Sequence, residues 1–127
     1  MEKRKYNNFE ETPVWRNAHS LVLKIYEISR VFPKEELYNL VSQIRRATVS
    51  IETNIAEAFG RFHFLDKTNF YYNARGSAEE VKSLLITARD LRYISSGDYE
   101  KMRLDLESLG RELNLVINSV RKSKERE

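Results

Sequence analysis

Apolar residues recur along this chain in alternating steps of three and four, the spacing that turns one face of an α-helix toward a partner. Four runs show it. The first is Trp15, Ala18, Val22, Ile25, Ser29 and Phe32; the second is Leu37, Leu40, Ile44, Ala47, Ile51, Ile55 and Ala58. The third is Phe70, Ala74, Ser77, Val81, Leu84, Ala88 and Leu91; the fourth is Tyr99, Met102, Leu106, Leu109, Leu113, Val116 and Val120. No position in them is charged. Leu21, Ile28, Val41, Leu85 and Ile117 stand beside the runs and widen each stripe enough to face a core. The pattern predicts four amphipathic helices. A rise of about 1.5 Å per residue gives the second and third a length of roughly 40 Å each.

The residues between the runs supply physical boundaries. Thr12-Pro13 reads as an N-cap followed by proline at the first helical position, where its missing N–H costs nothing. Phe32-Pro33 ends the first helix, because the proline ring disfavours a helical residue before it. Glu35 and Glu36 then fall in the first turn of helix two, at its positive dipole end. Gly60 is expected as the left-handed residue that closes helix two. Asp66 is the expected N-cap of helix three, and Ser95 or Ser96 of helix four, with Ser95 and Asp98 spaced as a capping box. The connections are short, so consecutive helices must run antiparallel. The expected fold is all-α: a single antiparallel up-down-up-down four-helix bundle over residues 13–120. Residues 1–12 are expected as a flexible N-terminal segment and 121–127 as a flexible basic tail.

Helix two carries a second stripe. Gln43, Arg46, Ser50, Asn54, Glu57 and Arg61 also step by three and four, about 100° from the apolar row. One reading is a solvated boundary face laced by i,i+3 and i,i+4 pairs such as Asn54–Glu57 and Glu57–Arg61. Another is a buried polar network that sets register between helices or between subunits. A ligand site is the third. Helix three holds Gly76-Ser77 in its middle, where glycine costs about 1 kcal/mol relative to alanine. Close approach of another backbone is one reason to keep it; simple tolerance is the other.

The 127 residues suffice for one domain, and only four Gly and two Pro interrupt them. There is no Cys, which excludes disulfides, thiolate chemistry and sulfur-ligated zinc and fits a reducing cytoplasm. No apolar run is long enough to cross a membrane, and no apolar stretch follows the basic residues of MEKRKYNNFEET as a secretory signal requires. His19 and His63 are the only histidines, and neither follows a Glu at the spacing a di-iron bundle uses. No nucleophile is placed beside a base and no phosphate-binding glycine loop is present. The expectation is therefore a protein without catalytic residues, cofactor or metal.

Net charge is +3, and two of those charges sit in the segment from Arg121 to Glu127. A basic face must then come from arrangement, or from copies adding their fields. Arg75, Lys82 and Arg89 are spaced by sevens and share one line on helix three. Arg45, Arg92, Arg121 and Lys122 add to the candidate phosphate contacts. The competing reading is a salt-bridged surface, since Glu79 and Asp90 stand close by. Tyr71 and Tyr72 either stack on bases or pack beside the core.

The block SQIRRATVSIETNIAEAFGR resembles the hallmark of bacterial four-helix bundle proteins encoded by intervening sequences in large-subunit ribosomal RNA genes, a family also labelled ribosomal. The similarity runs on through PVWRNAHSLVLKIYEISRVFPKEELYNLVSQIRRA before it and NARGSAEEVKSLL after it, from about Pro13 to Val120. Trp15, Phe32-Pro33, the run Gln43 to Ala47, Ser50-Ile51, the run Asn54 to Glu57, Gly60-Arg61 and Gly76-Ser77 carry it. Ala58 departs from the glycine usual there. The resemblance implies a helical bundle and a homo-pentamer. It also links the chain to accessory factors of diversity-generating retroelements, which form basic pentameric barrels that bind nucleic acid and a reverse transcriptase. It implies no catalytic residues. The expected function is a non-enzymatic homo-oligomer that binds RNA or DNA; the alternative is a protein–protein scaffold with no nucleic-acid role.

Overall fold

The computed structural model describes residues 5–125. A 3-10 turn at Phe9–Glu11 leads into α1 (Pro13–Ser29); α2 (Ser42–Gly60), α3 (Phe64–Asp90) and α4 (Ser96–Glu125) follow. Thr12 caps α1 as its sequence position requires: its Oγ accepts the Trp15 N–H at 3.4 Å and donates to the Phe9 carbonyl at 2.6 Å. Ser95 does the same for α4, its Oγ accepting the Asp98 N–H at 3.0 Å. α4 continues to Glu125, past the expected bundle limit at Val120.

The approach to α2 is less regular than the heptads suggest. Lys34–Glu36 form a 3-10 turn and Leu37–Val41 a π-helical segment before α-helix begins at Ser42. The wider π winding delays the turn by about one residue. Leu40 and Val41 are both buried as a result, and Leu37, expected in the core run, is turned outward.

Two helix ends differ from expectation. Gly60 remains within α2, and no described glycine has a positive φ. The chain instead leaves α2 through extended Arg61 (φ −84, ψ 144), because only Arg61–His63 separate it from α3. The Lys67 ammonium donates to the carbonyls of Ala58 and Phe59 at 3.0 and 3.1 Å. Asp66 is not the cap of α3 but lies inside its first turn; His63 is the extended residue that starts it. The left-handed position is taken by Arg92 (φ 64), after α3. There the Tyr93 N–H reaches the Ala88 carbonyl and the Arg92 N–H the Arg89 carbonyl, both at 2.9 Å, which is a Schellman closure with arginine where glycine is easiest.

Paired residues give the topology. His19 meets Glu52 and Ser29 meets Arg45; Lys67 meets Ala58 and Ser77 meets Ser50. Tyr72 lies against Arg121, Arg75 against Asn114 and Arg89 against Tyr99. Asn17 binds Glu112 and Lys24 binds Asp105. In every set one number falls as the other rises, so α1 runs antiparallel to α2, α2 to α3, α3 to α4, and α4 back to α1.

One core fills the bundle. Ile25, Ile44, Ile51, Val81, Leu85 and Leu113 are fully excluded from solvent. On α3 the buried row is Tyr71, Ala74, Ala78, Val81, Leu85 and Ala88. Phe70, Ser77 and Leu84, expected in that row, sit one position aside and are half-buried, and Leu91 is exposed. Ala74, Val81 and Ala88 of the expected row are buried; the offset falls where Tyr71, Ala78 and Leu85 pack, because Ala78 adds little to a hydrophobic period and Phe70 and Leu84 are as apolar as their packed neighbours.

Candidate functional site

The polar row of α2 follows the α2–α3 seam and divides into a half-buried centre and exposed ends. Ser50 and Ser77 hydroxyls bond across the seam at 2.9 Å. Asn54 donates to both the carbonyl and the hydroxyl of Ser50, at 2.8 and 3.0 Å. At the ends, Gln43 donates to Asn39 and Arg61 pairs with Glu57 at 3.3 Å while its guanidinium lies over Phe70. Arg46 is exposed and forms no ion pair among the described residues. The two readings of the row thus apply to different parts of it: helix-surface pairs at the ends, a small interhelical network in the middle. Gly76 is exposed, and a Cβ added there would meet nothing within 4 Å. No helix of this chain needs that glycine.

The candidate basic residues separate onto two seams. Arg45 faces α1: its Nε donates to Ser29 Oγ at 2.9 Å, its Nη2 reaches the Tyr26 carbonyl at 3.4 Å, and the guanidinium covers the Tyr26 ring. It is remote in the fold from the line on α3. Arg75, Lys82 and Arg89 follow the α3–α4 seam. Arg75 donates to Asn114 of α4 at 2.9 Å and stacks on Tyr72, and Arg121 stacks on the same ring while its Nη2 contacts the Tyr72 hydroxyl. Lys82 forms no ion pair among the described residues, whereas Arg89 is bound to Asp90 at 3.0 Å and lies over Tyr99. Arg92 sits in the α3–α4 loop, and Lys122 is exposed near the end of α4. Tyr71 is a core residue whose hydroxyl pKa is raised by burial; Tyr72 alone is left to offer a ring edge.

Sequence reasoning passed over the α4 side of this seam. Arg103 is gripped by Glu100 and Glu107, whose hydrogen bonds hold it more firmly protonated; in return it lowers the Glu100 pKa. Arg111, Gly110 and Asn114 line a cleft with Arg75 and Lys82. The spacing Arg103–Glu107–Arg111 and the mid-helix Gly110 were the available signals. At the opposite corner, His19 is structural: its ring stacks on Trp15 at 4.7 Å and Nδ1 bonds Glu52 at 2.7 Å. Among the described residues, no three His, Asp or Glu side chains group as a metal site, and no helix is long and apolar enough to cross a membrane.

Comparison with solved structures finds the same fold in a protein with unknown function from the S23 ribosomal protein family of Bacteroides thetaiotaomicron. It has a TM-score of 0.77 and 24% identity, over 83% of this chain and 95% of that one. No curated protein matches the chain. Residues 10–115 match the family described as 23S rRNA-intervening sequence protein. That match spans the four heptad runs almost entirely, and the chain belongs to the 23S rRNA-intervening sequence protein family.

Proposed function

We propose that this protein is a non-enzymatic subunit of a cytoplasmic homo-oligomer that binds single-stranded RNA along the α3–α4 face. The observation that carries the reading is the alignment of cations along that seam: Arg75 and Arg121 stack on the half-exposed ring of Tyr72, and Lys82 and Arg111 line the neighbouring cleft with Arg75. Guanidinium groups stacked on a tyrosine are held extended, so little rotamer freedom is lost when a phosphate arrives. The ring edge between them suits a base laid against it. One subunit offers few phosphate contacts, and copies arranged about a symmetry axis multiply them. The test is binding of labelled single-stranded RNA at about 50 mM salt, with assembly first measured by light scattering. Binding that the double change Arg75→Ala, Lys82→Ala removes is the expected result. An assembled protein that ignores RNA under those conditions refutes the reading.

A second reading, a protein–protein scaffold, has its own observation. Gly76 is exposed, mid-helix and unneeded by its own bundle, and it adjoins the Ser50–Ser77 bond. A helix of another chain resting there would account for it. Gly76→Leu is then expected to reduce the oligomer to smaller species; unchanged elution removes this support.

A further inference from the structure

Between α3 and α4 the seam opens into a cleft of about 300 Å3. Its cause is local. Ala78 of α3 and Gly110 of α4 line it, and neither has a side chain long enough to close the gap. Gly110 lies inside a helix of 30 residues, where glycine costs about 1 kcal/mol relative to alanine. A Cβ there would meet nothing within 4 Å, so packing within the chain does not explain the glycine. Leu106 completes an apolar floor.

The rim is charged and uneven. Arg75, Lys82 and Arg111 stand around the floor with Glu79 and Glu107. Arg103 already neutralises Glu107, so cations outnumber free carboxylates. Glu79 has no cationic partner among the described residues, and Asn114 marks the end where Arg75 bridges the helices. A flat apolar floor, one free acceptor and several cations together fit the three parts of a nucleotide. The base covers the floor, an exocyclic amine donates to the Glu79 carboxylate, and the phosphate meets the cations. The cleft is at the small end of ligand sites, the size of one nucleotide rather than a duplex.

We propose that this cleft holds one unpaired RNA nucleotide whose base carries an exocyclic amino group. The proposal rests on the RNA-binding reading and adds to it a base preference and a location. Anisotropy with fluorescein-labelled decamers of adenylate, cytidylate and uridylate tests it at low salt. Adenylate and cytidylate should bind about tenfold more tightly than uridylate, which has no amine to donate. Gly110→Leu fills the floor without changing charge, and should lower both to the uridylate level while leaving uridylate within about twofold. Glu79→Ala, which removes the acceptor, should also erase the preference without weakening uridylate, with helix content checked by circular dichroism. Equal binding of the three decamers by the wild type, or a preference that survives both changes, overturns the pocket and leaves RNA binding standing. No binding of any decamer overturns both.

Discussion

Arg45 tests the division between an arginine that holds the bundle together and those proposed to contact RNA. Arg45→Ala removes a charge-assisted hydrogen bond to Ser29, a longer one to the Tyr26 carbonyl, and the guanidinium stacked on Tyr26. Ser29 is buried, but its hydroxyl keeps a bond to the Tyr26 carbonyl at 3.2 Å, so no orphaned group is left. The hydrogen bond then contributes about 1 kcal/mol and the stacking about 0.5–1 kcal/mol, with loss of the half-buried stem bringing the total to roughly 1.5–2.5 kcal/mol. Unfolding entropy of about 2.1 cal/mol/K per residue converts this, for a chain of this length, into a fall in Tm of roughly 6–9 °C. Thermal melts followed by circular dichroism at one protein concentration measure it, the fixed concentration being needed because assembly shifts Tm. RNA affinity at 25 °C should stay within about twofold of wild type, since Arg45 faces α1 and not the α3–α4 seam. A Tm change under about 1 °C, or a loss of affinity equal to that of Lys82→Ala, would refute the assignment.

Other consequences follow from particular residues. Arg92→Gly should raise stability by about 1 kcal/mol in urea melts, because glycine adopts the left-handed position that arginine occupies under strain; a destabilised variant contradicts the Schellman closure. Leu85→Ala, at a fully buried site, should cost about 2–5 kcal/mol, whereas Leu91→Ala should cost little; equal effects would mean the α3 register is wrong. The Glu100 pKa is depressed by Arg103, so this pair's stabilisation is present above the ordinary carboxylate value of 4.5 and fades as pH falls below it. Arg103→Ala should therefore weaken the acid dependence of Tm, and an unchanged acid limb would count against the pairing. The Tyr93 hydroxyl donates to Glu36 and its pKa is raised by that bond, so its contribution is present below the ordinary value of 10.0 and is lost as pH rises beyond it; Tyr93→Phe should flatten the alkaline limb.

What the chain discloses by pattern alone divides along physical lines. The helices, the Thr12 and Ser95 caps and the core of α1, α2 and α4 were legible, because large apolar residues and capping side chains act locally. The α3 row was legible at Ala74, Val81 and Ala88 but not at Tyr71 and Ala78, since Phe70 beside Tyr71 is equally apolar and Ala78 contributes little to a hydrophobic period. The left-handed residue falls at Arg92 and not at Gly60 because helix closure depends on where the next helix lies, which short-range preference does not encode. Arg45 and Arg46 are adjacent in sequence and differ in what they do: one ties α1 to α2, the other is exposed. The cleft over Gly110 depends on Ala78 standing opposite it, a cross-helix register that neither helix states by itself.

Cations on the α3–α4 face are proposed to bind RNA phosphates. The affinity of the assembled protein for single-stranded RNA, measured across a salt series, tests it most directly. Each phosphate contact should add about −0.7 to the slope of log K against log salt, so Arg75, Lys82, Arg111 and Arg121 together give a slope of about −3 per subunit engaged. Lys82→Ala should flatten that slope by one contact per engaged subunit. A slope near zero, or one that Lys82→Ala leaves untouched, would contradict it.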